Sequence, residues 1–211
     1  MTEDKIEISF PDGKRKFFQR GISGNDIARS ISPSLLKKSV AIKVDGKLHD
    51  LCDNIYKDSK VILLSTDTKE GLEIMRHTLT AQVLARAMKN LYPDAKLAIG
   101  PTIADGFYYD FDFEKPISNE DLELIEREMN KIVSNGAAIE KIYKKKDEAK
   151  ALFRSRKEDY KINIIDESEQ EDNFSIYCQK NTNFIDLCRG PHLPSLKHIG
   201  AFKLTKVSGA Y

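Results

Sequence analysis

Apolar and polar residues alternate over Ile6, Ile8 and Phe10, with Glu7 and Ser9 between them, which is the period of a half-buried strand. Pro11-Asp12-Gly13 is a turn signal, and Lys14 to Phe18 returns as a second strand. Ser23 is placed to cap a short helix that Pro33 ends. Val40, Ile42 and Val44 alternate again before Asp45-Gly46, a strong hairpin signal leading into Lys47-Leu48, and Val61 to Leu64 closes the series as an apolar strand. Strands grouped around one helix predict a small α+β roll for residues 1–64.

Beyond the polar stretch Ser65–Lys69 the period lengthens. Leu72, Met75, Leu79, Val83, Ala87 and Leu91 recur every three or four residues, predicting a long helix from Glu70 that Pro93 terminates. Gly106 to Phe113 alternates aromatic and acidic residues, so Phe107, Tyr109, Phe111 and Phe113 share one face of a predicted strand. Ser118 and Asp121 form a capping box for a helix that ends at Asn135-Gly136. The sequence further predicts strands at Ile139–Tyr143, Tyr160–Ile165, Phe174–Cys178 and Ala201–Tyr211, with a short helix capped by Asp147. Helices among antiparallel strands make residues 65–211 a second, mixed α/β domain.

At 211 residues the chain has room for two cores. Lys+Arg 34 against Asp+Glu 33 leaves +1, so no global basic field marks it for nucleic acid, although a local patch such as Lys144-Lys145-Lys146 can contact phosphate. The start reads as no secretory signal, no apolar run is long enough to cross a bilayer, and Cys52, Cys178 and Cys188 lack metal or disulfide spacing. A reducing cytoplasm is the expected setting.

The chemistry concentrates in Asn183–His192, N-F-I-D-L-C-R-G-P-H, where Asp186, Cys188, Arg189 and His192 fall within seven positions. Proline pushes the residue before it out of the α region, so Gly190-Pro191 puts these groups on a turn. His77 lies on the predicted long helix. A thiol with two imidazoles fits three chemistries: a catalytic zinc with an open position, a histidine-activated cysteine nucleophile, or activation of a water near an ester. No phosphate-cradling loop or triad elbow is present.

I-M-R-H at 74–77, L-A-I-G-P-T-I-A-D-G-F-Y-Y-D-F-D at 97–112, Y-K at 160–161, F-I-D-L-C-R-G-P-H at 184–192 and F-K-L-T-K-V-S-G-A-Y at 202–211 together resemble the N-terminal half of bacterial-type threonyl-tRNA synthetases. The resemblance implies a ubiquitin-like β-grasp TGS domain over 1–64. Over 65–211 it implies an editing domain shared with alanyl-tRNA synthetases, with a largely antiparallel sheet and a long helix, the chain stopping before the aminoacylation domain. A stand-alone trans-editing factor of the same superfamily is the alternative.

The implied reaction is hydrolysis of seryl-tRNA(Thr), with tRNA(Thr) and its seryl-adenosine end as partners. One methyl group discriminates serine from threonine by only about 1–3 kcal/mol, so a second site is needed. Carried over to this sequence, His77, Cys188, His192 and Lys161 are catalytic, and Asp186, Tyr109, Gln82 and Arg189 bind substrate. No cofactor is implied here; ATP, Mg2+ and Zn2+ belong to the aminoacylation domain. A monomeric fragment of a homodimeric enzyme is expected.

The family's H-x-x-x-H motif departs from pattern. His77-Thr78-Leu79-Thr80-Ala81-Gln82 keeps the first histidine but has Ala81 at the second position, or Gln82 if the chain carries one extra residue. Hydrolysis at a reduced rate and a non-catalytic, tRNA-binding domain are both compatible with that change.

Overall fold

In the computed structural model, which describes residues 4–98, 100–114 and 116–209, the chain forms two compact units. The first comprises Met1–Met75 with Gly190–Pro194, the second Arg76–Arg189 with Ser195–Tyr211.

In the first unit, β1 (Lys5–Ser9) and β2 (Arg15–Gln19) form the expected hairpin, followed by the short β3 (Ile22–Ser23). The Ser23 side chain accepts from the Asp26 N–H and so caps α1 (Gly24–Ile31). Pro33 does more than end this helix. Its fixed φ and missing N–H suit a first helical position, and it opens α2 (Pro33–Lys38), capped by Ser32. Then come β4 (Ala41–Val44), β5 (Lys47–Asp50), β6 (Asn54–Ile55) and β7 (Ser59–Leu64). Asp45 and Gly46, at φ 49° and 87°, make the tight β4–β5 turn as expected. The sheet runs β2-β1-β7-β4-β5, with β1 and β7 parallel and the other neighbours antiparallel. Ile27 of α1 packs fully buried with Ile8, Ile42 and Val61 of the sheet, which is the β-grasp arrangement.

The long helix forms but is not uniform. α3 (Lys69–Thr78) continues as a π-helical stretch, Leu79–Leu84, before α4 (Ala85–Leu91). The Ala85 N–H reaches back five residues to the Thr80 carbonyl, while the Thr80 hydroxyl donates to the Arg76 carbonyl at 2.7 Å. All six residues of the stretch are buried.

In the second unit the aromatic run Gly106–Phe113 is not one strand. β8 (Lys96–Leu97) pairs with β11 (Phe111–Asp112), and β9 (Thr102–Ile103) pairs with β10 (Gly106–Phe107). The four rings nevertheless pack into one core with Leu79, Val83, Met88 and Met129. The Ser118–Asp121 capping box opens a 3-10 turn and α5 (Leu122–Asn135), which Gly136 ends in the left-handed region at φ 59°.

β12 (Ile139–Lys144) is followed by α6 (Lys146–Ser155), where Lys145 takes the cap position and Asp147 falls in the first turn. Tyr160–Ile165, expected as a strand, lies in α7 (Asp159–Glu167). The Glu158 carbonyl accepts from both the Lys161 and Ile162 N–H groups, and the buried residues Lys161 and Ile165 are four apart, a helical repeat that the β-branched isoleucines obscure. β13 (Phe174–Gln179) is the centre of an antiparallel β12-β13-β14 sheet with β14 (Ile185–Leu187).

The expected strand over the tail is absent from 201–209, and Ala210, Tyr211 and Ile99 lie outside the described residues. Glu126 accepts from the Leu204 N–H and the Lys203 ammonium, and Asn119 accepts from the Val207 N–H. Helix α5 and the 3-10 turn ahead of it thereby supply the tail with side-chain acceptors that a neighbouring strand would otherwise provide.

Candidate functional site

Asp186 is the middle residue of β14, and its register partner is Tyr177 on the central strand. Alternation puts Asp186 and Cys188 on the same face, about 7 Å apart along the chain. The Ser175 hydroxyl donates to the Cys188 carbonyl and the Cys188 N–H donates to the Ser175 carbonyl, so the backbone carrying the thiol is tied to β13.

Two side-chain contacts form here. His77, in the last turn of α3, places Nε2 3.1 Å from the Cys188 sulfur. Lys161 on α7 places its ammonium 2.9 Å from Asp186 Oδ1, with the two side chains only 6% and 3% exposed. Burial alone would pull the Lys161 pKa down. The Asp186 carboxylate outweighs that, so the net shift is upward and the ammonium is held charged. Burial, and then the Asp186 charge, raise the Tyr109 phenol, so its hydroxyl stays protonated beside the pair.

Tyr109 is fixed by packing. Its ring stacks on Phe111 at 4.5 Å between centroids. Gly100 lets it approach the π-helical stretch, because a Cβ there would lie 2.3 Å from Tyr109 Cδ2 and 2.6 Å from Thr80 Cγ2. A side chain at position 100 would therefore force these elements apart.

Gln82 sits in the π-helical stretch and is fully buried. Gln179 donates to its backbone carbonyl at 2.6 Å and to its Oε1 at 3.3 Å, leaving Gln82 Nε2 without a hydrogen-bond partner among the described residues. Ala81, the alternative at the motif's second position, is a buried part of the same stretch. Arg189 is exposed. His192 is 1% exposed and belongs to the first unit, where its N–H donates to Asp50 Oδ1 at 2.8 Å.

Glu158 escaped the sequence reading. It is 7% exposed, and burial followed by Asp186 repulsion raises its pKa. It precedes α7 at the cap position, and a strand over Tyr160–Ile165 gives that position no special place.

The arrangement presents a thiol–imidazole contact and, on the same strand face, a buried cation with a neutral phenol. Such groups can position a water, stabilise developing negative charge at a carbonyl and fix a polar ligand. His77 and Cys188 also offer two atoms that suit zinc.

Residues 6–65 match the TGS domain, and residues 174–210 match the threonyl and alanyl tRNA synthetase second additional domain. A threonine–tRNA ligase of Ehrlichia canis is 44% identical over 206 residues, covering 98% of this chain and 32% of the relative. One of Francisella philomiragia is 46% identical over the same shares, and one of Staphylococcus aureus is 43% identical over 208 residues, 99% of this chain and 32% of the relative. The chain thus spans about a third of the length of these relatives and is similar to them across nearly all of its own.

Proposed function

We propose that this chain, which carries a TGS domain and a synthetase second additional domain and matches threonine–tRNA ligases along its length, serves such an enzyme as its editing part, with the division at residues 64 and 65. Its substrate is the seryl ester at the 3′ end of tRNA(Thr), and its setting is the cytoplasm. No helix of the described residues is long and apolar enough to cross a membrane.

The contact between His77 Nε2 and the Cys188 sulfur carries this reading, with the Lys161–Asp186 pair on the same strand face in support. Water adds to the ester carbonyl, the bond from that carbon to the ribose oxygen breaks, and serine leaves with the ribose hydroxyl regenerated. His77 and Cys188 hold the water. His192, four residues beyond Cys188 in sequence, is assigned the same task. Lys161 faces the charge that develops on the carbonyl oxygen. Tyr109 and Asp186 orient the seryl end, and the exposed Arg189 contacts the tRNA.

Gln82 takes the place of a second helix imidazole. The π-helical stretch supports this, because one extra residue per turn brings positions five apart to the same face. A carboxamide donates and accepts hydrogen bonds but takes no proton at neutral pH, so the site works with one general base fewer and more slowly.

Release of serine from Ser-tRNA(Thr) tests the proposal. General-base and positioning groups contribute about 10²–10⁴-fold, so His77→Ala and Cys188→Ala should each slow release by at least about tenfold. Release no faster than the uncatalysed rate, and unchanged in Cys188→Ala, would leave the non-catalytic, tRNA-binding reading. Metal analysis of the purified protein decides whether zinc takes part.

A further inference from the structure

A cavity of about 350 Å³ opens among α4, the end of α6 and the β13–β14 turn, lined by Arg86, Lys89, Asn90, Arg156 and the Asn181–Phe184 segment. Its three cations are held mostly by neutral acceptors. Arg86 Nη1 donates to Gln179 Oε1 at 2.8 Å, Lys89 Nζ donates to the carbonyls of Pro93 and Ala95 at 3.1 Å each, and Arg156 Nη2 donates to the Asn183 carbonyl at 2.9 Å. Each side chain is positioned while some of its donors stay available.

Two acids lie close. Glu128 acts on Arg86, but its oxygens already serve Asn90 at 2.8 Å and Lys131 at 3.7 Å. Glu158 Oε1 forms an ion pair with Arg156 Nε at 3.5 Å, so the two acids balance two of the three cations. The cavity therefore keeps a net positive charge in a chain whose formal total is only +1.

We infer that this cavity is a phosphate-binding site, taking a phosphodiester of a single-stranded nucleic acid end or, by the same chemistry, free phosphate. Fixed guanidinium forks match phosphate oxygens, Lys89 adds a point charge, and the second amide N–H of Asn90, whose first serves Glu128, adds a neutral donor. Cavities of this size hold small ligands. A hydrogen-bond chain from Arg86 through Gln179 to Gln82 ties its wall to the π-helical stretch. The RNA source rests on the tRNA reading; the phosphate site itself does not.

The test is titration of the intact chain with inorganic phosphate and, separately, with a short single-stranded RNA ending in a 3′ hydroxyl. With three cations engaged, log K for the RNA should fall with log salt at a slope of about −2. Lys89→Gln with Arg156→Gln should weaken both ligands at least tenfold and flatten the slope, while Lys37→Gln with Lys38→Gln, two exposed cations of α2, should change neither.

Amide shifts in wild-type protein should centre on Asn181–Phe184 when phosphate is added, a readout that needs no variant. Phosphate binding there without RNA binding identifies a free anion as the source. Equal losses in the two double variants, or no shifts at Asn181–Phe184, overturn the site. Ser-tRNA(Thr) hydrolysis is measured apart, so its failure leaves the phosphate result standing.

Discussion

Lys161 and Asp186 are the residues on which the second unit has most at stake. An ammonium and a carboxylate at 2.9 Å, both nearly out of solvent, gain little over a well-packed apolar pair, but removing one strands the other. Lys161→Met should therefore cost about 3–5 kcal/mol in denaturant unfolding, and Lys161→Met with Asp186→Leu should recover much of it. The pH dependence follows from the direction of the lysine shift. Its folded pKa lies above the unfolded one, so the contribution is complete below lysine's ordinary pKa and is lost as pH rises through the higher folded value. The difference between wild type and Lys161→Met should stay level from about pH 6 to 9 and shrink only in stronger alkali. A difference that vanishes by neutral pH would show that the ammonium is not held charged.

Among the elements, the interrupted helix was only half legible. The leucine and alanine stripe gave its extent, and Pro93 gave its end. In the sequence the extra residue of the turn shows only as an ambiguity between Ala81 and Gln82, because a π turn leaves no periodicity of its own over six residues. Other elements failed for reasons equally local. Tyr160–Ile165 is rich in β-branched residues, and its helical character depends on the Glu158 carbonyl and on burial of Lys161 with Ile165. The tail alternates like a strand, yet its partners are the side chains of Glu126 and Asn119. Where capping chemistry is encoded in the residues themselves, as at Ser23, Asp45-Gly46, Ser118 and Gly136, sequence and structure agree. Around the Lys161–Asp186 pair, Cys188, Asp186 and Lys161 lie in motifs legible in the sequence, whereas Glu158 belongs to none. The π turn itself can be tested by shortening it. Deleting Ala81 should turn Leu79–Leu84 into ordinary α-helix with α4 kept in phase, change stability by no more than about 1 kcal/mol, and raise amide protection across the stretch in hydrogen exchange. A loss of several kcal/mol would mean that the extra residue is needed for packing against Gly100 and Tyr109.

At the scale of the whole molecule, the first unit is discontinuous in sequence: the chain leaves it after Met75 and returns for Gly190–Pro194. His192 is almost fully buried in that return, and its N–H donates to Asp50 Oδ1 at 2.8 Å across 142 positions of sequence. Loop closure over such a length costs only slightly more than over half of it, since the entropy grows with the logarithm of loop length. A hydrogen bond to a carboxylate contributes about 1.5–3 kcal/mol, enough to matter within the few kcal/mol that separate folded from unfolded protein. Asp50→Ala should consequently lower hydrogen-exchange protection of β4, β5 and residues 190–194 by an amount in that range and leave α5 unchanged. Ile27, Ile42 and Val61 remain buried without the bond, so the β-grasp core should persist as the return segment loosens. Equal loss of protection in α5 would mean that the bond holds together more than the unit in which it lies.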